Sequence, residues 1–471
     1  MEDTVQLLAA GLEFPLSLQG RVSIGDRVQE IEQQRIEAFT KEELTDTEIA
    51  EISMRGMQEK LQQADTAVEM KSALVYLTVR ERDGVEGIEI IMVPGDPNQY
   101  PVHRFVEVSF VELRQNLTDF RNGGIKKYKK LAYLEPGKFL YDKTILPIYE
   151  DLERLNIDHL QIIPDAEFTR GSLSSASVLQ YIPYAALVNA GTNEHLIEQF
   201  SLAISPSFHL TEPKHHDLRN AEKLVLAESE FGTHLPSLPG ALAEFNIVNE
   251  SNAASIPNHR RFNASNLQNG LNSLDNVSSP QLLHIATHGE FKVNENPDDD
   301  YLYTEDPLHP ISLTQLLDDS YNFESLELAI FAACRAATGD KSYEYGIGGT
   351  IWAKGAESVI GTQWDVSDVG TAGAMYAFYT ILSKRDLPIA KILQEVQLAM
   401  LESRISVNVK TEVVNNENTY IVTISYTFIN NANQEETVTT IVPEPLRTYA
   451  NSFISEHPHF WAPFQLIGSG H

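Results

Sequence analysis

Cysteine is nearly absent from this chain, since Cys334 is the only one in 471 residues. No disulfide can close within it, which argues for a reducing compartment. Basic residues are scarce as well: 35 Lys and Arg face 66 Asp and Glu, leaving a formal charge of −31. Phosphate backbones and anionic lipid both need clustered Lys and Arg, so neither nucleic acid nor membrane is an expected partner. The acidity reads first as solubility, and a basic protein partner is the sharper alternative. Long hydrophobic runs are missing, and nothing approaches the roughly 18 apolar residues of a membrane span. The opening MEDTVQLLAAGLEF lacks the positive start and continuous apolar core of a signal peptide. A cytoplasmic location is expected.

Several catalytic patterns are also missing. There is no G-x-S-x-G elbow, so a serine hydrolase has no support. In GIGGTIWAKG, Ile351 stands where the last glycine of G-x-G-x-x-G belongs, and no phosphate loop is formed. His284 and His288 are four apart, but on a strand that spacing spans about 13 Å, and no HExxH or Cys pair accompanies them. No metal or other cofactor is expected. No internal repeat is present.

The apolar fraction of 42% is enough for a packed core. Residues 1–72 read as a helical lead-in, with helix predicted over Thr45–Met70; it is too short to hold a core of its own and should pack on the rest of the chain or on a partner. ALVYLTV and GIEIIMV flank Asp83-Gly84 and predict a hairpin. Helical stretches are expected at Ser109–Asn122 and Phe139–Leu155, then a strand at Leu160–Pro164 and a Ser-rich insertion at Gly171–Ser177. In the second half, Leu282–Thr287, Leu326–Ala333 and Ser358–Gln363 are apolar enough for buried parallel strands, separated by helical segments such as Gly348–Gly355 and followed by Val369–Ser383. Together they predict an α/β layer sandwich whose functional residues lie beyond the carboxyl ends of the strands. Thr-rich runs at Val407–Val413, Thr419–Phe428 and Thr437–Val442 predict an antiparallel meander inserted at about 405–442.

Two segments carry chemistry: HIATHG (284–289) and AACRA (332–336). Each runs off a predicted strand, so His288 and Cys334 should emerge at one sheet edge. A thiol needs a base or a lowered pKa to attack at neutral pH, and an imidazole supplies it. Gly289 lets the chain approach closely, so its N–H and that of Cys334 can converge on a developing oxyanion. Taken singly, a buried Cys is usually an inert small hydrophobe, and a lone His usually a satisfied structural residue. Paired at matching strand ends, 46 positions apart, they approach the caspase pattern of Q-A-C-[RQG]-G with a His roughly 50 residues upstream.

With these segments stand IPYAALV (182–188), LIEQFSLAISPS (196–207), LPSLPGALAEF (235–245), GIGGTIWAKGAESVIGTQWDVSD (346–368) and HPHFWAPFQLIG (457–468). In this order, from about Ala73 to the C-terminus, the sequence resembles the CHAT domain, a caspase-like cysteine peptidase module related to separase. The resemblance implies a caspase-like α/β/α sandwich with a pseudo-caspase half (73–221) and an active half (222–471). It implies a His288–Cys334 dyad cleaving a specific protein substrate, with a regulatory partner or activator. Arg335-Ala336 departs from the family's usual Glu-Thr. Trp364-Asp365-Val366-Ser367-Asp368 resembles a separase segment, which makes Asp365, then Asp368, candidates for reading a basic residue before the scissile bond. The structural alternative is that either Asp caps the next helix, which Asp368 fits well. The alternative for the whole chain is a catalytically silent scaffold or signalling module.

Overall fold

The structure, a computed structural model, describes residues 23–40, 43–127, 131–165, 179–250, 257–291, 300–337, 345–414, 417–430, 433–450 and 455–471. The Ser-rich insertion at 171–177 lies outside the described residues.

One mixed sheet organises the molecule. Its strands are β1 (Ser72–Arg82), β2 (Val85–Pro94), β3 (Val102–Glu107), β4 (His159–Pro164), β5 (Ser201–Ile204), β6 (Glu222–Ala227), β7 (Gln281–Ala286), β8 (Leu328–Ala332), β9 (Ser358–Thr362) and β10 (Phe464–Gly468). They lie in the order β3-β2-β1-β4-β5-β10-β9-β8-β7-β6. First-half strands therefore occupy one side and second-half strands the other. The C-terminal β10 closes the seam, parallel to β5 and antiparallel to β9. β6 to β9 run parallel, and β4, β7 and β9 are buried at every position, as two-sided apolar runs require. Helices pack against this sheet, giving the expected α/β caspase-like architecture.

The predicted hairpin forms, and both turn residues take positive φ, 54° at Asp83 and 81° at Gly84. That is the geometry a two-residue hairpin turn demands. The lead-in helix is broken in two, Asp46–Glu51 and Met54–Val68, because Ser53 adopts an extended conformation and caps the second piece. The lead-in packs on the main sheet: Val28, Ile31, Met57 and Leu61 cluster with Leu74, Tyr76, Ile91 and Val93. Buried Glu32 fastens this layer by accepting from the Tyr76 hydroxyl and the Phe208 N–H. The helix expected at 109–122 is α-helical over Phe110–Thr118 and then widens into a π-turn, Asp119–Ile125. The one expected at 139–155 divides at Ile145 into Leu134–Thr144 and Leu146–Leu155, with Pro147 opening the second piece.

The meander forms a separate three-stranded sheet from Ile405–Val414, Glu417–Ile429 and Glu435–Val442. Val422, Ile424, Tyr426 and Phe428 alternate inward and join the main core, docked on the helix Asp368–Lys384. Hydroxyls pair on the outer face, Ser425 with Thr439 and Thr427 with Thr437, each at 2.9 Å.

Candidate active site

Ala286 and Ala332 are register partners, the last residues of β7 and β8. His288 and Cys334 each lie two positions further on, so the two loops leave the same edge in step. The loop after β6 brings Phe231 and Pro236 to this edge, and the loop after β9 brings Asp365 and Val366. Four neighbouring parallel strands thus deliver the residues around the thiol from their carboxyl ends.

The two loops are in contact. A Cβ on Gly289 would lie 2.9 Å from the Cys334 carbonyl oxygen and 2.7 Å from the Phe291 ring, so a glycine is needed for this approach. Gly289 also starts a short strand paired with Leu302, and the Tyr303 N–H donates to the His288 carbonyl at 2.9 Å. The Thr362 hydroxyl donates to the Ala333 carbonyl at 2.7 Å, fixing the cysteine loop from the β9 side.

His288 sits 4.8 Å ring to ring from Phe231 and 6.4 Å from Tyr303. Its Nε2 lies 2.9 Å from the Pro236 carbonyl oxygen. That contact requires the proton on Nε2 and leaves Nδ1 as the basic nitrogen of the neutral ring. Burial lowers the imidazole pKa, and the bond to Pro236 opposes the shift. Burial raises the Cys334 thiol; the Val366 N–H and Arg335 oppose this, while Asp365 and Asp368 add to it. The resting pair is therefore neutral thiol and neutral imidazole. Among the described residues no hydrogen bond joins His288 to Cys334; the ring is held on Pro236 instead.

The CHAT domain family model matches residues 134–469. The chain belongs to the CHAT domain family. No curated protein matches it in sequence. Among solved structures, it is similar to separase in the Saccharomyces cerevisiae separase–securin complex, at 9% identity and TM-score 0.46, with 79% of this chain and 32% of that one covered. It thus spans about a third of the separase chain. It is also similar to the Arg-specific cysteine proteinase gingipain R, at 10% identity and TM-score 0.32, covering 76% and 94%. The complex of Porphyromonas gingivalis RgpB pro- and mature domains gives 11% identity and TM-score 0.31, covering 76% and 96%.

In this CHAT domain the two acidic candidates have different surroundings. Asp365 is largely exposed and already paired: Arg335 Nε lies 2.9 Å from its Oδ1, and Arg335 Nη2 donates to its Oδ2 at 3.0 Å. Arg335 makes this contact from a left-handed backbone, φ 59°. Asp368 turns the other way. Its Oδ2 accepts the Gly240 N–H at 2.7 Å, at the start of the helix Pro239–Glu250. Ser367, not Asp368, caps the helix that follows β9. Asp368 is thus a capping residue, though of a helix 128 positions away.

Two features of the site were not expected from sequence. The Pro236 carbonyl is a backbone atom, and no residue type advertises it. Behind Asp368 lies a buried polar chain in which His284 Nε2 is 3.1 Å from Glu244 Oε2 and Nδ1 is 3.0 Å from the Tyr379 hydroxyl. Burial pushes His284 down to about 3 and Glu244 upward, so this is a neutral hydrogen-bonded pair rather than an ion pair. Among the described residues no group of His, Cys, Asp or Glu could hold a metal ion.

Proposed function

We propose that this CHAT domain is a cysteine endopeptidase acting on a protein partner, with Cys334 as nucleophile and His288 as proton-transfer residue. The observation that carries the reading is the in-step departure of the two loops from Ala286 and Ala332 with Gly289 pressed against Cys334. The thiol proton passes to His288, the sulfur attacks the peptide carbonyl, and the oxyanion takes the N–H groups of Gly289 and Cys334. His288 then protonates the leaving amine as the C–N bond breaks, and water hydrolyses the thioester. The Pro236 carbonyl, an exposed backbone acceptor, orients the ring in the role that a carboxylate plays in a triad.

The neutral resting pair supports latency: a raised thiol and a lowered imidazole make a poor thiolate, so a partner that draws His288 onto the sulfur would switch the domain on. The test is a cysteine-directed covalent probe on wild type and Cys334→Ala, with and without proteins from the native host. Labelling that needs Cys334 and rises when a native partner is added supports a latent peptidase. An inert thiol under every condition favours the silent scaffold. Cleavage after a basic residue, the preference that Asp365 suggested, requires the Arg335–Asp365 pair to open first.

A further inference from the structure

The π-turn at Asp119–Ile125 closes with the Lys126 N–H donating to the Arg121 carbonyl at 3.0 Å. Such turns are rare and frequent at functional sites. Lys126 caps the turn that carries Arg121, and its ammonium lies close enough to Arg121 and Arg335 for their charges to act on it. Gly124 holds the turn against its neighbour, since a Cβ would lie 2.6 Å from the Tyr133 Cα. Arg121 meets the loop after β9: its Nη2 donates to the Gln363 carbonyl at 2.7 Å, and its guanidinium lies 5.6 Å from the Tyr181 ring centroid. Two residues further along that loop, Asp365 holds Arg335, the residue next to the nucleophile.

Arg335 is paired with Asp365, and among the described residues neither Arg121 nor Lys126 has a carboxylate partner. Arg121 Nε is shut off from solvent and has no hydrogen-bond partner among the described residues. Lys126 has no ion pair among the described residues. Burial, then the charges of Arg121 and Arg335, push Lys126 down to about 8, against the weaker pull of Asp365. Burial, helped by Arg335, brings Arg121 down to about 10. Nearby His459 stays neutral, held at about 4 by burial and by His457. Largely buried cations without a carboxylate are costly, so Arg121 and Lys126, packed towards Arg335 beside the nucleophile, call for an anion beyond the described residues.

We propose that Arg121, Lys126 and Arg335 form an anion-accepting subsite beside the Cys334 thiol that selects an acidic side chain, Asp or Glu, next to the scissile bond. Arg335 is the specificity-determining residue: by neutralising Asp365 it turns a site suited to a basic side chain into one suited to a carboxylate. Guanidinium and ammonium donors meet a carboxylate with charge-assisted hydrogen bonds, whereas a substrate Arg would have to displace a paired Arg335 and face two further cations.

The inference rests on the peptidase reading, and the test separates the two. Peptidyl acyloxymethyl ketones with Asp, Asn, Arg or Lys at the residue before the warhead are compared for their rate of labelling Cys334, beside iodoacetamide as an uncharged reagent. The Asp-to-Asn ratio within each variant is the readout, because it is insensitive to the fraction folded. Wild type is expected to label at least about tenfold faster with Asp than with Asn, and faster still relative to Arg. Lys126→Met and Arg335→Ala should each bring the Asp-to-Asn ratio towards one. Lys126→Glu should favour the Lys reagent. Wild-type preference for Arg or Lys, or a ratio that none of these variants moves, overturns the inference and leaves the peptidase reading intact. Failure of every reagent, iodoacetamide at alkaline pH included and with host proteins added, sinks the peptidase reading and this inference with it.

Discussion

Asp368 and Gly240 are 128 residues apart, yet the carboxylate of one caps the first turn of the other's helix at 2.7 Å. This contact ties the loop after β9, which carries Asp365 and Val366, to the loop carrying Pro236. The two loops are thereby tied by one half-buried carboxyl group.

That carboxyl group is titratable near neutrality. Burial pushes Asp368 up to about 7 against the Gly240 N–H, with Glu244 adding to the rise. The folded state therefore holds its proton up to about pH 7, while the unfolded chain loses it near the ordinary value of 3.8. Between those pH values the folded state binds more protons, so stability falls as pH rises through the window. Asp368→Asn keeps an acceptor oxygen for Gly240 but has no proton to lose. Unfolding free energies from urea titrations at pH 5.5 and 8 should differ less in the variant than in wild type, by roughly 1–3 kcal/mol. An unchanged pH dependence would show that Asp368 does not titrate in this range.

The thiol should be slow and strongly pH-dependent. With Cys334 raised and His288 lowered, both chiefly by burial, no thiolate–imidazolium pair is stable at rest. Iodoacetamide labelling of the isolated chain should therefore climb through the alkaline range with no plateau near neutrality, and His288→Ala should change that profile little. A plateau already present at pH 6–7 and lost in His288→Ala would mean that the ion pair is preformed.

Gly289 is the most sensitive single position of the site. A methyl group there meets the Cys334 carbonyl at 2.9 Å and the Phe291 ring at 2.7 Å. The ring can turn aside, but the backbone cannot, so Gly289→Ala should separate the two loops. Expected are a loss of roughly 1–3 kcal/mol in stability and a loss of Cys334 labelling by substrate-like probes. Retained labelling at wild-type rate would place the oxyanion donors elsewhere.

What could be read from sequence came from periodicity and from loops fixed by rigid strands. β7, β8 and β9 are short, apolar and two-sided, so their existence and the position of His288 and Cys334 at their ends were legible. The helix breaks at Ser53 and Ile145 were not, because cap geometry overrides a continuous helical pattern there. β3, whose middle residues HRFV are only partly buried, carries little alternation and gives no strand signal. Charge pairing was the least legible: Asp365 suggested a receptor for a basic side chain, but Arg335 takes it, and Asp368 caps a distant helix. Those outcomes depend on tertiary placement, which one-dimensional spacing does not carry.

The meander is the last case, and its docking decides what it does. A tolerated surface insertion would leave its apolar side chains loosely held, and a mobile lid would bury them only in one state. Here Val422, Ile424, Tyr426 and Phe428 are buried in the main core, and Lys384 at the end of the helix following β9 lies 4.7 Å from the Phe428 ring while its Nζ pairs with Glu436 at 2.7 Å. The insertion therefore braces the helix that starts at Asp368, the same helix whose first turn adjoins the thiol loop. Tyr426→Ala or Phe428→Ala should cost roughly 3–5 kcal/mol, whereas Thr437→Ala on the outer face should cost less than about 0.5 kcal/mol. Because the bracing acts at the far end of the helix, Tyr426→Phe should leave Cys334 labelling unchanged. A Phe428→Ala variant as stable as wild type, measured by urea unfolding, would make the meander an undocked appendage and remove its structural role.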